Sequence, residues 1–122
     1  MNETTIAFAS QTANASIVIV DRNDIAGVAH LAHAQQQLES VIKIIDRTQQ
    51  KMRLLNDTMI YFIDALHLER LRGLRLDRIE VAADVALSLI PEGFLESRLR
   101  TGVTPEEGIL FTGTAFSASY IP

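Results

Sequence analysis

Apolar side chains recur at alternating steps of three and four between Asp24 and Arg72, at Val28, Leu31, Leu38, Ile42, Ile45, Met52, Met59, Ile63 and Leu66. Gln35, Gln49 and Asn56 fill the intervening positions of the same series. Such alternation is the 3.5-residue repeat of a helix that buries one narrow seam against a partner. The stretch holds no proline, and its only glycine before Arg72 is Gly27, in the first turn. The pattern therefore predicts one long helix over 24–72, which would run about 70 Å at 1.5 Å per residue. A fold-back at Asn56-Asp57-Thr58, with Asp57 capping a second helix from Met59, is the alternative. The repeat passes through Asn56 without a phase slip, which favours the continuous helix. Beyond Arg53, Leu54, Leu55, Ile60, Tyr61, Phe62 and Leu68 widen the apolar surface, as in a helix packed on most sides.

Shorter elements flank this helix. Thr5 to Ala9 (TIAFA) and Ser16 to Val20 (SIVIV) are β-prone runs separated by small polar residues, which predicts an N-terminal β-hairpin arm over 1–23. Asn23 or Asp24 is a natural N-cap for the long helix. Asp77 to Ile90 reads as a further helix with a polar stripe at Asp77, Glu80, Asp84 and Ser88, stopped by Pro91. Glu92 to Arg100 reads as a short third one, ahead of Gly102. Thr104-Pro105-Glu106-Glu107 has the form of a capping box with proline at the first helical position, here one tight turn. Ile109 to Thr112 and Ala115 to Ile121, joined by Gly113-Thr114, predict a C-terminal β-hairpin over 103–122. The expected fold class is α+β, mainly α: a single domain over 1–122, with a long central helix of coiled-coil type, shorter helices over 73–102 and small hairpins at both termini.

Composition narrows the function classes. At 122 residues and 48% hydrophobic content the chain is a folded one, and with 6% aromatics its core is aliphatic. A formal net charge of −4 opposes indiscriminate adhesion to nucleic acid or anionic lipid. The absence of cysteine excludes disulfides, thiolate metal sites and cysteine nucleophiles. Neither a charged secretory start nor an apolar run near the ~20 residues of a membrane span is present. The expected location is cytoplasmic, or within a large particle.

Few residues suggest chemistry. His30 and His33 stand three apart, and Asp64-x-x-His67 repeats that spacing with a carboxylate, so each pair could contribute to a metal site on a helix. A helical di-metal site needs more carboxylates than this, and solvated or capping histidines are the plainer reading. No metal or other cofactor is implied. Arg70, Arg72, Arg75 and Arg78 form the only basic cluster, beside Glu69 and Asp77; it suits ion pairs with Glu69, Glu80 and Asp84, or a polyanion. No nucleophile elbow and no phosphate-binding glycine loop occurs.

The sequence thus points to a non-enzymatic structural or assembly subunit, such as a virion, tail, secretion-apparatus or adaptor component. It would self-associate through Leu31, Leu38, Ile42, Ile45, Met52, Met59, Ile63 and Leu66. Gln35, Gln49 and Asn56 would set register and copy number. Its partners would be itself and other protein subunits, with no membrane span and no small-molecule substrate. The alternative is an oligomeric nucleic-acid-associated regulator presenting Arg70 to Arg78; a helical metal-dependent enzyme using His30, His33, Asp64 and His67 is the remote one.

Overall fold

The computed structural model describes residues 1–112. Over these residues the chain is a mixed α/β protein built on a six-stranded sheet. The strands are β1 (Ser16–Asp21), β2 (Ile42–Asp46), β3 (Lys51–Leu54), β4 (Met59–Asp64), β5 (Arg78–Val81) and β6 (Ile109–Phe111), with sheet order β2-β3-β4-β1-β5-β6. β4, β1, β5 and β6 run parallel; β3 joins β4 antiparallel, and β2 joins β3 antiparallel. The helices are α1 (Glu3–Gln11), α2 (Asp24–Gln37) and the single turn α3 (Pro105–Gly108).

The expected long central helix is overturned, and with it the mainly α, coiled-coil description. α2 stops after 14 residues. The β-branched run Val41-Ile42-Lys43-Ile44-Ile45 follows, and such residues favour a pleated strand. Two turns then reverse the chain, with Gln50 at φ 52° and Asp57 at φ 66°. A right-handed helix cannot pass through such residues. The chain does reverse at Asn56-Asp57, where the disfavoured alternative puts a break between two helices, but the reversal joins strands β3 and β4.

Other assignments shift as well. Thr5 to Ala9 lies in helix α1, started by Asn2, whose side chain accepts from the Thr4 N–H. Ser16 to Asp21 is a strand, but it pairs with β4 and β5, so there is no N-terminal hairpin. The predicted helix over Asp77 to Ile90 is strand β5 followed by turns, and Glu92 to Arg100 contains only a 3-10 turn at Glu96–Arg98. Thr104 caps α3, its hydroxyl accepting from the Glu107 N–H as the capping-box form requires. β6 pairs parallel with β5, and the expected partner run Ala115 to Ile121 lies outside the described residues.

Two apolar layers cover the sheet. Ile17 and Ile19 of β1 pack with Ile60 and Phe62 of β4, Ala9 of α1, and Leu31, Ala34 and Leu38. Val18 and Val20, pointing the other way, pack with Ile63, Ile79 and Val81, with Leu68 and Leu71 of the 3-10 segment Ala65–Leu71, and with Val85, Leu95 and Leu99. β1 is apolar on both faces because it is central and parallel, as buried parallel strands are. Among the described residues no helix is long and apolar enough to cross a membrane.

Candidate functional site

β1 and β4 are parallel neighbours in register from Ser16 opposite Met59 to Asp21 opposite Asp64. Beyond Asp21 the chain turns into α2, on the face carrying Ile17 and Ile19. Beyond Asp64 it turns into Ala65–Leu71, on the opposite face. Two adjacent parallel strands whose continuations part to opposite faces leave a crevice between them, the switch point at which open α/β sheets bind ligands. Here both strands end in a buried aspartate, and each aspartate holds a histidine.

Asp64 is the better formed pair. Both its carboxylate oxygens lie 2.8 Å from Nδ1 of His67, and Oδ1 also accepts from the Leu66 N–H at 2.9 Å. A carboxylate only accepts, so Nδ1 carries a proton, which in the neutral ring leaves the lone pair on Nε2. His67 departs from helical geometry, with φ −129° and ψ 42°, and that kink divides the 3-10 segment. The Asp64 side chain is 4% exposed, while that of His67 is 46% exposed. A dry carboxylate thus orients a ring that is about half exposed, the way general-base histidines are held.

The neighbouring pair is closed. Nδ1 of His30, on α2, lies 3.0 Å from Asp21 Oδ1, and its Nε2 lies 4.0 Å from Glu80 Oε2, too far for a hydrogen bond. The His30 ring meets Phe62 edge to face at 5.7 Å, and only 16% of its side chain is exposed. Glu80, on β5, is buried and accepts from the Asn2 N–H at 3.1 Å. Close to it, burial lowers the pKa of Arg78, an effect that the Glu80 charge partly offsets. Arg78 itself donates to the Thr4 and Thr5 hydroxyls and lies over the Phe8 ring. This cluster ties β1, β5, α1 and α2 together under cover. Among the described residues, Asp21 Oδ2 is buried there without a hydrogen-bond partner.

The structure separates most of the residues that the sequence grouped. His33 is exposed on α2, and among the described residues no set of three or more His, Cys, Asp or Glu side chains could hold a metal ion. Arg70, Arg72 and Arg75 are exposed and form no salt bridge among the described residues, whereas Arg78 is drawn into the Glu80 cluster. Asp84 pairs with Arg22, and Asp77 with Arg100. Of the expected seam, Leu31, Leu38, Met52 and Ile63 are buried within this chain, Ile42, Ile45 and Met59 are half-buried, and Leu66 is exposed. Gln35 accepts from Arg47, Gln49 is exposed, and Asn56 bonds to the end of α1. Asp21 and Glu80 were not singled out as site residues. Their signal was a carboxylate at the end of an apolar run, in SIVIVD, or between two β-branched residues, in RIEV, where burial leaves it no water.

Searches of family models, curated proteins and solved structures returned no match to this chain.

Proposed function

We propose that this chain is an α/β domain that binds a small molecule outside the carboxyl ends of β1 and β4 and exchanges a proton with it through His67. The observation that carries this reading is the Asp64–His67 pair at the switch point, with the carboxylate buried, Nδ1 engaged by it and the imidazole side chain about half exposed. With Nε2 unprotonated the ring accepts a proton from water or a substrate hydroxyl, and Asp64 stabilises the imidazolium that results. His30 lacks that access and serves the scaffold. The carboxyl ends of β1 and β4 carry Asp21 and Asp64, Asp24 opens α2, and the N-terminus of that helix is already capped by Asn23. That charge favours neutral or cationic substrates over phosphates. The assembly reading loses its mechanical basis, since much of the expected seam is core of the single chain.

The test is turnover on a panel of neutral and cationic esters and amides. His67→Ala should lower kcat/KM by about 10²–10⁴-fold, the range for general acid–base catalysis. Asp64→Asn should lower kcat with little change in KM, because an amide no longer fixes the tautomer. Turnover equal in wild type and His67→Ala would refute the proposal. So would a panel without turnover combined with no ligand-induced NMR shift at residues 64–68.

A further inference from the structure

The face carrying Val18, Val20 and Ile63 is covered over β1 and β5, but over β3 and the β2 edge it is open, with Ile44 exposed. A cavity of about 180 Å³ lies there, lined by Gln49, Lys51, Tyr61, Phe62, Ile63, Arg70 and Leu74. Lys51 stands directly opposite Tyr61 across the β3–β4 pair, so their side chains share this face. Arg70 enters from the 3-10 segment Ala65–Leu71 on the other side. The cavity therefore has two cations in its wall and no carboxylate.

Neither cation is spoken for. Lys51 and Arg70 form no salt bridge among the described residues, although Lys43, Arg22 and Arg100 each have a carboxylate partner. Asp46 sits across the strand pair from Lys51 without pairing to it, and its Oδ1 instead accepts from the Gln49 N–H at 2.9 Å. Glu69, next to Arg70 in the chain, is exposed and forms no salt bridge either. Two like charges around one small cavity repel unless something negative lies between them.

We infer that this cavity binds a small organic oxyanion, its charged head between Lys51 and Arg70 and its apolar body against Ile63 and Leu74. Arg offers a planar fork to an oxyanion, Lys a mobile point charge, and the Gln49 amide a further donor. The apolar floor, Tyr61 with Ile63 and Leu74, selects for a ligand with a hydrocarbon part over a bare ion. The site is separate from the acidic crevice and does not depend on His67 being catalytic.

Titration of the intact chain followed by amide NMR tests this, with phenyl phosphate and benzoate as probes and benzyl alcohol as the neutral control. Saturable shifts are expected at Gln49, Lys51, Tyr61, Ile63, Arg70 and Leu74 with one or both anions, and their relative affinities identify the head group. Removing both charge-assisted contacts in Lys51→Gln with Arg70→Gln should weaken binding by about tenfold or more. Arg53→Gln removes a neighbouring charge whose Nε donates to the Met59 sulfur, outside the cavity wall, and should leave binding unchanged. Binding should also weaken on raising salt from about 50 to 200 mM. The inference is overturned if neither anion gives saturable shifts, if benzyl alcohol binds as tightly, if the double variant binds as wild type, or if Arg53→Gln weakens binding equally.

Discussion

Asn56 shows how one residue can satisfy a pattern for the wrong reason. By spacing it is a polar position in a helical seam; in the fold its amide donates to the carbonyls of Ala9 and Thr12, and its oxygen accepts from the Thr58 N–H. Beside it Thr58 is fully buried, its hydroxyl accepting from the Ala15 N–H and donating to the Thr12 carbonyl. These two side chains terminate α1 and fasten it to the β3–β4 turn. A spacing rule counts polar residues but cannot see which backbone carbonyls need donors. Asn56→Ala takes the side-chain donor from the Ala9 carbonyl and the acceptor from the Thr58 N–H, while Thr12 keeps the Thr58 hydroxyl, and should cost about 1–3 kcal/mol. Denaturant unfolding measures that cost, and hydrogen exchange should quicken first in α1. An unchanged midpoint with unchanged α1 protection would contradict this account. His67 was noticed for its distance from Asp64, and the spacing was informative although the element is a kinked 3-10 segment and not a long helix. What could not be read was which of the two histidine–aspartate pairs would stay open to water.

At the scale of elements the difficulty was competition between two periods. Steps of three and four run through Ile42, Ile45, Met52 and Met59, but strict alternation also runs through Lys51-Met52-Arg53-Leu54, where only Met52 and Leu54 are buried. Short apolar runs are ambiguous in this way, and here the turn residues Gln50 and Asp57 decided the outcome. α2 did keep its predicted start, with Asn23 accepting from the Ala26 N–H, and Leu31 and, at the C-cap, Leu38 do face inward, but Ala34 is the buried residue between them and not Gln35. Leu38→Ala should therefore destabilise the chain by about 2–5 kcal/mol, as buried leucines do. Ile25, on the same helix but 80% exposed, should cost no more than about 0.5 kcal/mol on the same change. Thermal or urea unfolding of the two variants compares them directly. A large loss for Ile25→Ala would show that α2 buries its outer side as well.

For the whole molecule, the run SIVIV was recognisable as strand, yet nothing near it in sequence reveals that it is the centre of a sheet. Its neighbours are 43 residues away at Met59, opposite Ser16, and 61 away at Arg78, opposite Ile17 (59 − 16 and 78 − 17). Parallel pairing leaves no local signature, because the chain must cross over before the partner strand begins. A chain truncated after Leu74 should keep β1–β4 pairing but leave the other edge of β1 bare, so it should bind a hydrophobic dye and aggregate where the full chain does not. Equal solubility and equal dye binding would argue that β5 adds little.

The same topology sets a timetable during synthesis. Ribosomes add about 5–20 residues per second, so the interval between making Ile17 and making Arg78 is roughly 3–12 s. Through that interval β1, buried at every residue but its first, has been made but has no neighbour on one side. Local helices form in microseconds and cannot shorten the wait, since what is missing is the partner itself. Codon choice between residues 60 and 80 would then govern yield more than codon choice elsewhere, and chaperone demand should fall on the nascent chain and not on the finished one.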